Sequence, residues 1–107
     1  MYNYCITLNY RTMIGKKVLV RGVQSGVYFG TLVKREGQEV ALEKARNIWY
    51  WSGAASLLQR ANEGVKDQRG SKFTVTVDRL LLLDVVEIVP CTDEAIANIE
   101  STWVWKM

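Results

Sequence analysis

A chain of 107 residues is long enough for one hydrophobic core and too short for two, so a single domain is expected. Hydrophobic residues make up 49% and charged residues 23%, the balance of a folded chain and not of a disordered one. A net charge of +3 is too weak to argue for nucleic acid by itself, and the absence of histidine removes the commonest general base and metal ligand.

Residues 1–12 read as a lead outside the domain: an added strand, a flexible segment, or the product of an upstream start, with Met13 as the more natural beginning. They lack the basic start and apolar middle of a secretion signal. Residues 13–107 then form the single ligand-binding domain. Residues 16–21 predict a short strand and Ser25-Gly26 a turn. Residues 26–34 predict a second strand interrupted by Gly30, where a bulge or a close backbone approach is expected. Glu36-Gly37-Gln38 makes a tight hairpin connection. The chain returns from Val40 to Tyr50, with Val40, Leu42, Arg46, Ile48 and Tyr50 on one face. Ala41, Ala45, Asn47, Trp49 and Trp51 fall on the other.

From Ala54 the period changes to that of a helix, with Ala54, Leu57, Leu58, Ala61 and Val65 on one stripe. Ser52 is placed to cap its start and Gly64 to end it. Residues 66–71 predict a polar loop, mobile in the empty protein. Phe73, Val75 and Val77 alternate with threonines as a half-buried strand. Residues 80–89 are apolar almost throughout and predict a central strand buried on both faces. Pro90 stops the sheet, and Thr92 caps a last helix carrying Asp93 and Glu94 in its first turn and Ala95, Ile96 and Ile99 on its inner stripe. Residues 103–105 close the chain as an extended tail. The fold class expected is α+β: an antiparallel sheet of about five strands with two short helices packed on it, in an oligomer.

No combination of residues suggests catalysis: there is no phosphate-binding loop of the Walker type, no Gly-x-Ser-x-Gly, and no carboxylate pair with an evident role. Asp84 and Glu87 sit in the apolar run, where burial would raise a carboxyl pKa, but pairing with Lys or Arg at an edge is the simpler reading. Cys5 and Cys91 are far apart and form no metal-ligand spacing, so they read as reduced thiols. No metal, cofactor or membrane span is expected.

The densest run is Arg46-Asn47-Ile48-Trp49-Tyr50-Trp51-Ser52-Gly53. Its aromatic faces, amide and guanidinium suit a flat, phosphate-bearing ligand. The plainer alternative is a hydrophobic anchor, with Arg46 paired to Glu43 or another acid. Arg21, Arg46 and Lys72 can donate to phosphate, Asn47 can read a base or ribose edge, and Tyr28, Trp49, Tyr50 and Trp51 can stack. Ser52 and Thr92 begin helices whose amides can meet a phosphate. Two tryptophan-rich clusters are more apolar surface than one small sheet hides, so a dimer or larger ring with ligand between protomers is a third candidate.

Four segments carry a resemblance: Met13-Ile14-Gly15-Lys16-Lys17-Val18-Leu19-Val20-Arg21, Ser25-Gly26-Val27-Tyr28-Phe29-Gly30-Thr31-Leu32, Ala45-Arg46-Asn47-Ile48-Trp49-Tyr50-Trp51-Ser52-Gly53-Ala54-Ala55-Ser56-Leu57 and Pro90-Cys91-Thr92-Asp93-Glu94-Ala95. The pattern, over about residues 13–106, resembles the phage Thoeris anti-defence proteins of the first type. That resemblance implies a non-catalytic sponge in the cytoplasm of an infected bacterial host, which sequesters cyclic ADP-ribose isomers such as gcADPR and so blocks Thoeris or CBASS-type immunity. It further implies a homo-oligomer, dimer or hexamer, and cyclic di- or trinucleotides as ligands of separate pockets. Two other readings stay open: a small phage structural or protein-interaction module, and a single-stranded nucleic-acid-binding domain.

Overall fold

The computed structural model describes residues 10–51 and 56–105. A short 3-10 helix, Tyr10–Met13, leads into β1 (Lys17–Gly22), β2 (Val27–Glu36) and β3 (Glu39–Tyr50). Helix α1 (Leu57–Glu63) follows, then β4 (Lys72–Phe73), β5 (Val77–Leu82), β6 (Val85–Pro90) and helix α2 (Asp93–Ser101). The fold is α+β, as the sequence predicts: one antiparallel sheet in the order β4-β3-β2-β1-β6, with β5 also paired to β3, and two α-helices among the described residues. None of these helices is long and apolar enough to cross a membrane.

The predicted central strand over residues 80–89 does not form. The chain breaks at Leu83-Asp84, leaving β5 on the free side of β3 and β6 on the free side of β1. Both flank the sheet instead of filling its middle. Asp84 causes the break. Its carboxylate accepts from the Gln24 amide at 2.7 Å, the Ser25 amide at 3.1 Å and the Ser25 hydroxyl at 2.6 Å. Led by the Ser25 hydroxyl, these donors hold its pKa below the usual carboxylate value, the reverse of the shift that strand burial would have given.

Because two residues join strands at opposite ends of the sheet order, the sheet has to curl until those ends meet. Val18, Val20, Leu32, Val40, Leu42, Ala45, Leu82 and Val85 form one cluster, with Met13 and Tyr28 packed against it. Leu19, Val27, Phe29, Ile48 and Phe73 form another with Leu57, Ala61, Val65 and Ile99 of the helical layer.

Expected alternation along β3 fails at one point. Lys44 has φ +52°, and the register slips by one between Phe29↔Arg46 and Thr31↔Glu43. This bulge moves Ala45 to the side of Val40 and Leu42, and sends Arg46 and Ile48 to the other. Gly30 lies opposite, where a Cβ would come 3.1 Å from the Glu43 carbonyl oxygen and 3.2 Å from the Ala45 Cα. The close backbone approach predicted at Gly30 is therefore present.

Four further expectations change. The first helix starts at Leu57 with Ser56 as its cap, accepting from the Gln59 amide at 3.1 Å, while Ser52 lies outside the described residues. Leu58 faces solvent. The loop over residues 66–71 is tied down: the Gln68 side-chain amide donates to Asn98 O and to the hydroxyls of Ser101 and Thr102, and Ser71 Oγ donates to Asp67 O. Phe73 to Val77 is not one strand, since β4 stops at Phe73 and Val75 is exposed.

Candidate ligand-binding site

Where β3 ends beside the β1–β2 turn, a cleft of about 390 Å³ opens, lined by Arg21, the turn residues Gln24 to Gly26, Asn47, Trp49 and Trp51 among others. It brings together four of the residues singled out by sequence: Arg21, Asn47, Trp49 and Trp51. Trp49 keeps 58% of its surface accessible, an unusual exposure for so large an apolar ring. Asn47 is held from both ends, its backbone N–H donating to Thr74 Oγ1 at 2.9 Å and its Nδ2 to Val27 O at 3.2 Å. Arg21 forms an ion pair with Glu87, both side chains open to solvent.

Arg46 requires a correction. It is only 5% exposed, and its guanidinium donates to four backbone carbonyls: Thr74 at 3.0 Å, Ile99 at 3.0 Å, Thr102 at 3.1 Å and Trp103 at 3.3 Å. It also lies 5.2 Å from the Phe73 ring centroid. Donors committed in this way hold no phosphate, nor do they pair with Glu43, whose ion-pair partner is Arg79 at 3.8 Å. Arg46 fastens the chain after α2 to the sheet.

Other predicted residues fall elsewhere. Tyr28 packs on the cluster of Val18 and Val20 and does not line the cleft. Thr92 spends its hydroxyl on the Ala95 amide at 3.1 Å and on Asn62 O at 2.5 Å, beside two acids that would repel an anion. Tyr50 is exposed but outside the cleft, in register with Lys72. Nor does the β1–β2 turn cradle a phosphate, because Asp84 already occupies its amides.

Two residues were missed. Trp105 stacks on Trp49, with ring centroids 5.0 Å apart and planes 8° from parallel. The Lys72 ammonium sits over both rings, 5.4 Å from the Trp49 centroid and 5.3 Å from that of Trp105. Arg60, 3% exposed, lies 3.7 Å from the Trp51 centroid with its Nη1 buried and lacking a hydrogen-bond partner among the described residues. Burial pushes its pKa down to about 10. The alternating Trp103-Val104-Trp105 was a usable signal for an aromatic face; nothing local marked Arg60. Among the described residues no group of His, Cys, Asp and Glu is placed to hold a metal ion.

A family model described as "Domain of unknown function (DUF6948)" matches residues 15–99. No curated protein matches the chain. Among solved structures, a heptameric archaeal Sm protein shares the fold, with a TM-score of 0.50, 20% identity, and coverage of 77% of this chain and 94% of that one.

Proposed function

We propose that this chain, which belongs to the family described as Domain of unknown function (DUF6948), is a non-catalytic sponge for cyclic ADP-ribose isomers such as gcADPR. Its setting is the cytoplasm of an infected bacterium, where it suppresses Thoeris-type immunity. The resemblance in sequence supplies the ligand class. The observation that carries the reading is the exposed Trp49 indole at a cleft that also presents Trp51, Asn47 and Arg21.

Each contact has a definite role in this reading. An adenine stacking on an indole gains roughly 1–3 kcal/mol. The Arg21–Glu87 pair is solvent-exposed, and such pairs are worth about 0–1 kcal/mol, so Arg21 can exchange Glu87 for a phosphate at little cost. A charge-assisted bond to phosphate is stronger than the surface pair it replaces. Asn47, fixed by two hydrogen bonds, offers its remaining acceptor to a ribose or base donor.

Self-association belongs to the same proposal. The archaeal Sm protein of like fold is heptameric. Here β5 and β6 each have one side without a partner strand among the described residues, and Val77, Leu81, Leu83 and Val86 expose apolar surface along them. Cyclic di- or trinucleotides remain a further ligand class for pockets formed between copies.

Calorimetry with gcADPR, followed by mass spectrometry of the released ligand, tests the sponge. Tight binding with intact ligand recovered is expected. Absence of binding, or recovery of a cleaved product, rejects it.

A further inference from the structure

We infer that the segment following α2 builds a base-stacking subsite, in which the outer surface of the Trp49–Trp105 pair receives a planar base and Lys72 receives the phosphate attached to it. The identity of the natural ligand rests on the sponge reading; the subsite itself rests on the geometry of three side chains.

The stack does not behave as core. Two indoles 5.0 Å apart and 8° from parallel normally hide each other, yet Trp49 remains 58% exposed, and Trp103 and Val104, which precede Trp105 in the chain, are exposed as well. Lys72 makes no ion pair among the described residues, and its ammonium is held over both rings. An open aromatic surface beside a cation that has no acidic partner among the described residues matches a nucleotide better than the alternatives. A purely apolar partner would desolvate the ammonium without repayment, and a simple anion would make no use of the rings.

The segment is also held in advance of binding. Arg46 donates to the carbonyls of Ile99, Thr102 and Trp103, Trp105 N donates to Phe73 O at 2.8 Å, and Trp103 Nε1 donates to Gln68 O at 2.9 Å. Arg46 is thus a positioning residue, acting through the backbone to hold Trp105 against Trp49. Trp49 also lines the cleft, so the subsite and the cleft are two sides of one ligand site.

The test uses calorimetry on the full chain with two probes, gcADPR and adenosine monophosphate, for the wild type and for Trp105→Ala, Trp105→Phe and Lys72→Met. Circular dichroism of the coupled indoles reports whether the stack is present. Expected for Trp105→Ala are loss of the coupled-indole signal and roughly tenfold or greater weakening for both probes, with Trp105→Phe recovering most of the affinity. Lys72→Met should weaken binding several-fold at low salt and hardly at high salt. Affinity within twofold of wild type in Trp105→Ala, with the indole signal gone, overturns the subsite. Should Trp105→Ala not fold, Lys72→Met decides: unchanged affinity at low salt overturns it. A wild type that binds adenosine monophosphate but not gcADPR, with loss in the variants, rejects the sponge and keeps the subsite. A wild type that binds neither rejects both.

Discussion

Arg46 and Arg60 are both buried guanidinium groups, and their surroundings predict opposite results on removal. Four carbonyl oxygens accept from Arg46, and a methionine in its place removes that donor from each; Ile99 O keeps the Thr102 amide at 3.3 Å, while the others lose the bond seen here. Unsatisfied buried acceptors cost about 1–3 kcal/mol each, partly recovered by relaxation and water. Arg46→Met should therefore lose at least ~3 kcal/mol in urea unfolding. Arg60 has a buried Nη1 with no partner among the described residues, donates from Nε to Ser56 O at 3.4 Å and lies over Trp51. Exchanging a poorly satisfied buried charge for an apolar chain of similar length is often neutral, so Arg60→Met should stay within about 1 kcal/mol of wild type. Equal losses in the two variants would contradict this assignment. Cys91 is a second case in which surroundings set chemistry. Burial pushes its thiol up to about 12, against a weaker opposing hydrogen bond at the Leu19 backbone. The thiolate is the reactive form, so in a Cys5→Ser background Cys91 should react with a disulfide reagent at pH 8 about a hundredfold slower, or more, than a free thiol. Between pH 9 and 12 the unfolded thiol ionises while the folded one stays neutral, so this group's contribution to stability falls as pH rises. Comparison of the wild type with Cys91→Ala across that range should show the stability difference moving against the wild type.

At the scale of elements, the β2–β3 bulge and the β5–β6 corner decide the shape of the sheet. A methyl group at Gly30 would press on the Glu43 carbonyl and the Ala45 backbone, neither of which is a flexible side-chain end. Gly30→Ala should cost about 1–3 kcal/mol, read as a lower denaturation midpoint with an unchanged slope. Asp84→Ala should loosen the β1–β2 turn and the corner together. Since the carboxylate is stabilised in its charged form, the wild type should lose that advantage as pH falls through the depressed pKa, bringing it toward Asp84→Ala in acid. These two features also mark how far the sequence could be read. The paired strands β1 and β2, the Gly37 hairpin, Gly30 and the Thr92 cap depend on residues close together in the chain, and all were legible there. The corner was not, because the donors that make Asp84 preferable to a continuous strand lie 59 and 60 residues upstream. Arg46 was misread for the same reason: its acceptors lie 28 to 57 residues further on. The cleft was half legible. Arg21, Asn47, Trp49 and Trp51 stand out by their chemistry and do line one cleft, whereas Trp105 reaches Trp49 only because the later chain folds back alongside Phe73.

For the whole molecule, the curled sheet leaves β5 and β6 each with a side unpaired among the described residues, and this makes self-association a question of symmetry. The β5 edge carries Leu81, 57% exposed, beside a groove of about 320 Å³ lined by Val33, Ala41, Leu80 and Leu81. The β6 edge carries Val86, also exposed. Pairing β5 of one copy with β6 of the next is heterologous, so each copy keeps one donor edge and one acceptor edge, and rings close if the rotation allows. Pairing β5 with β5 is isologous and stops at a dimer. Leu81→Lys and Val86→Lys place a charge on one edge each, at positions where no core is disturbed. Under heterologous pairing, each variant alone should elute as a monomer, and an equimolar mixture should form a heterodimer through the single pair of unmodified edges. Light scattering after size exclusion distinguishes the cases. Val86→Lys remaining a dimer by itself, with no new species on mixing, would establish the isologous arrangement in place of the ring. A monomeric wild type would remove the pockets between copies, and the cleft at Trp49 would then have to hold its ligand with one chain alone.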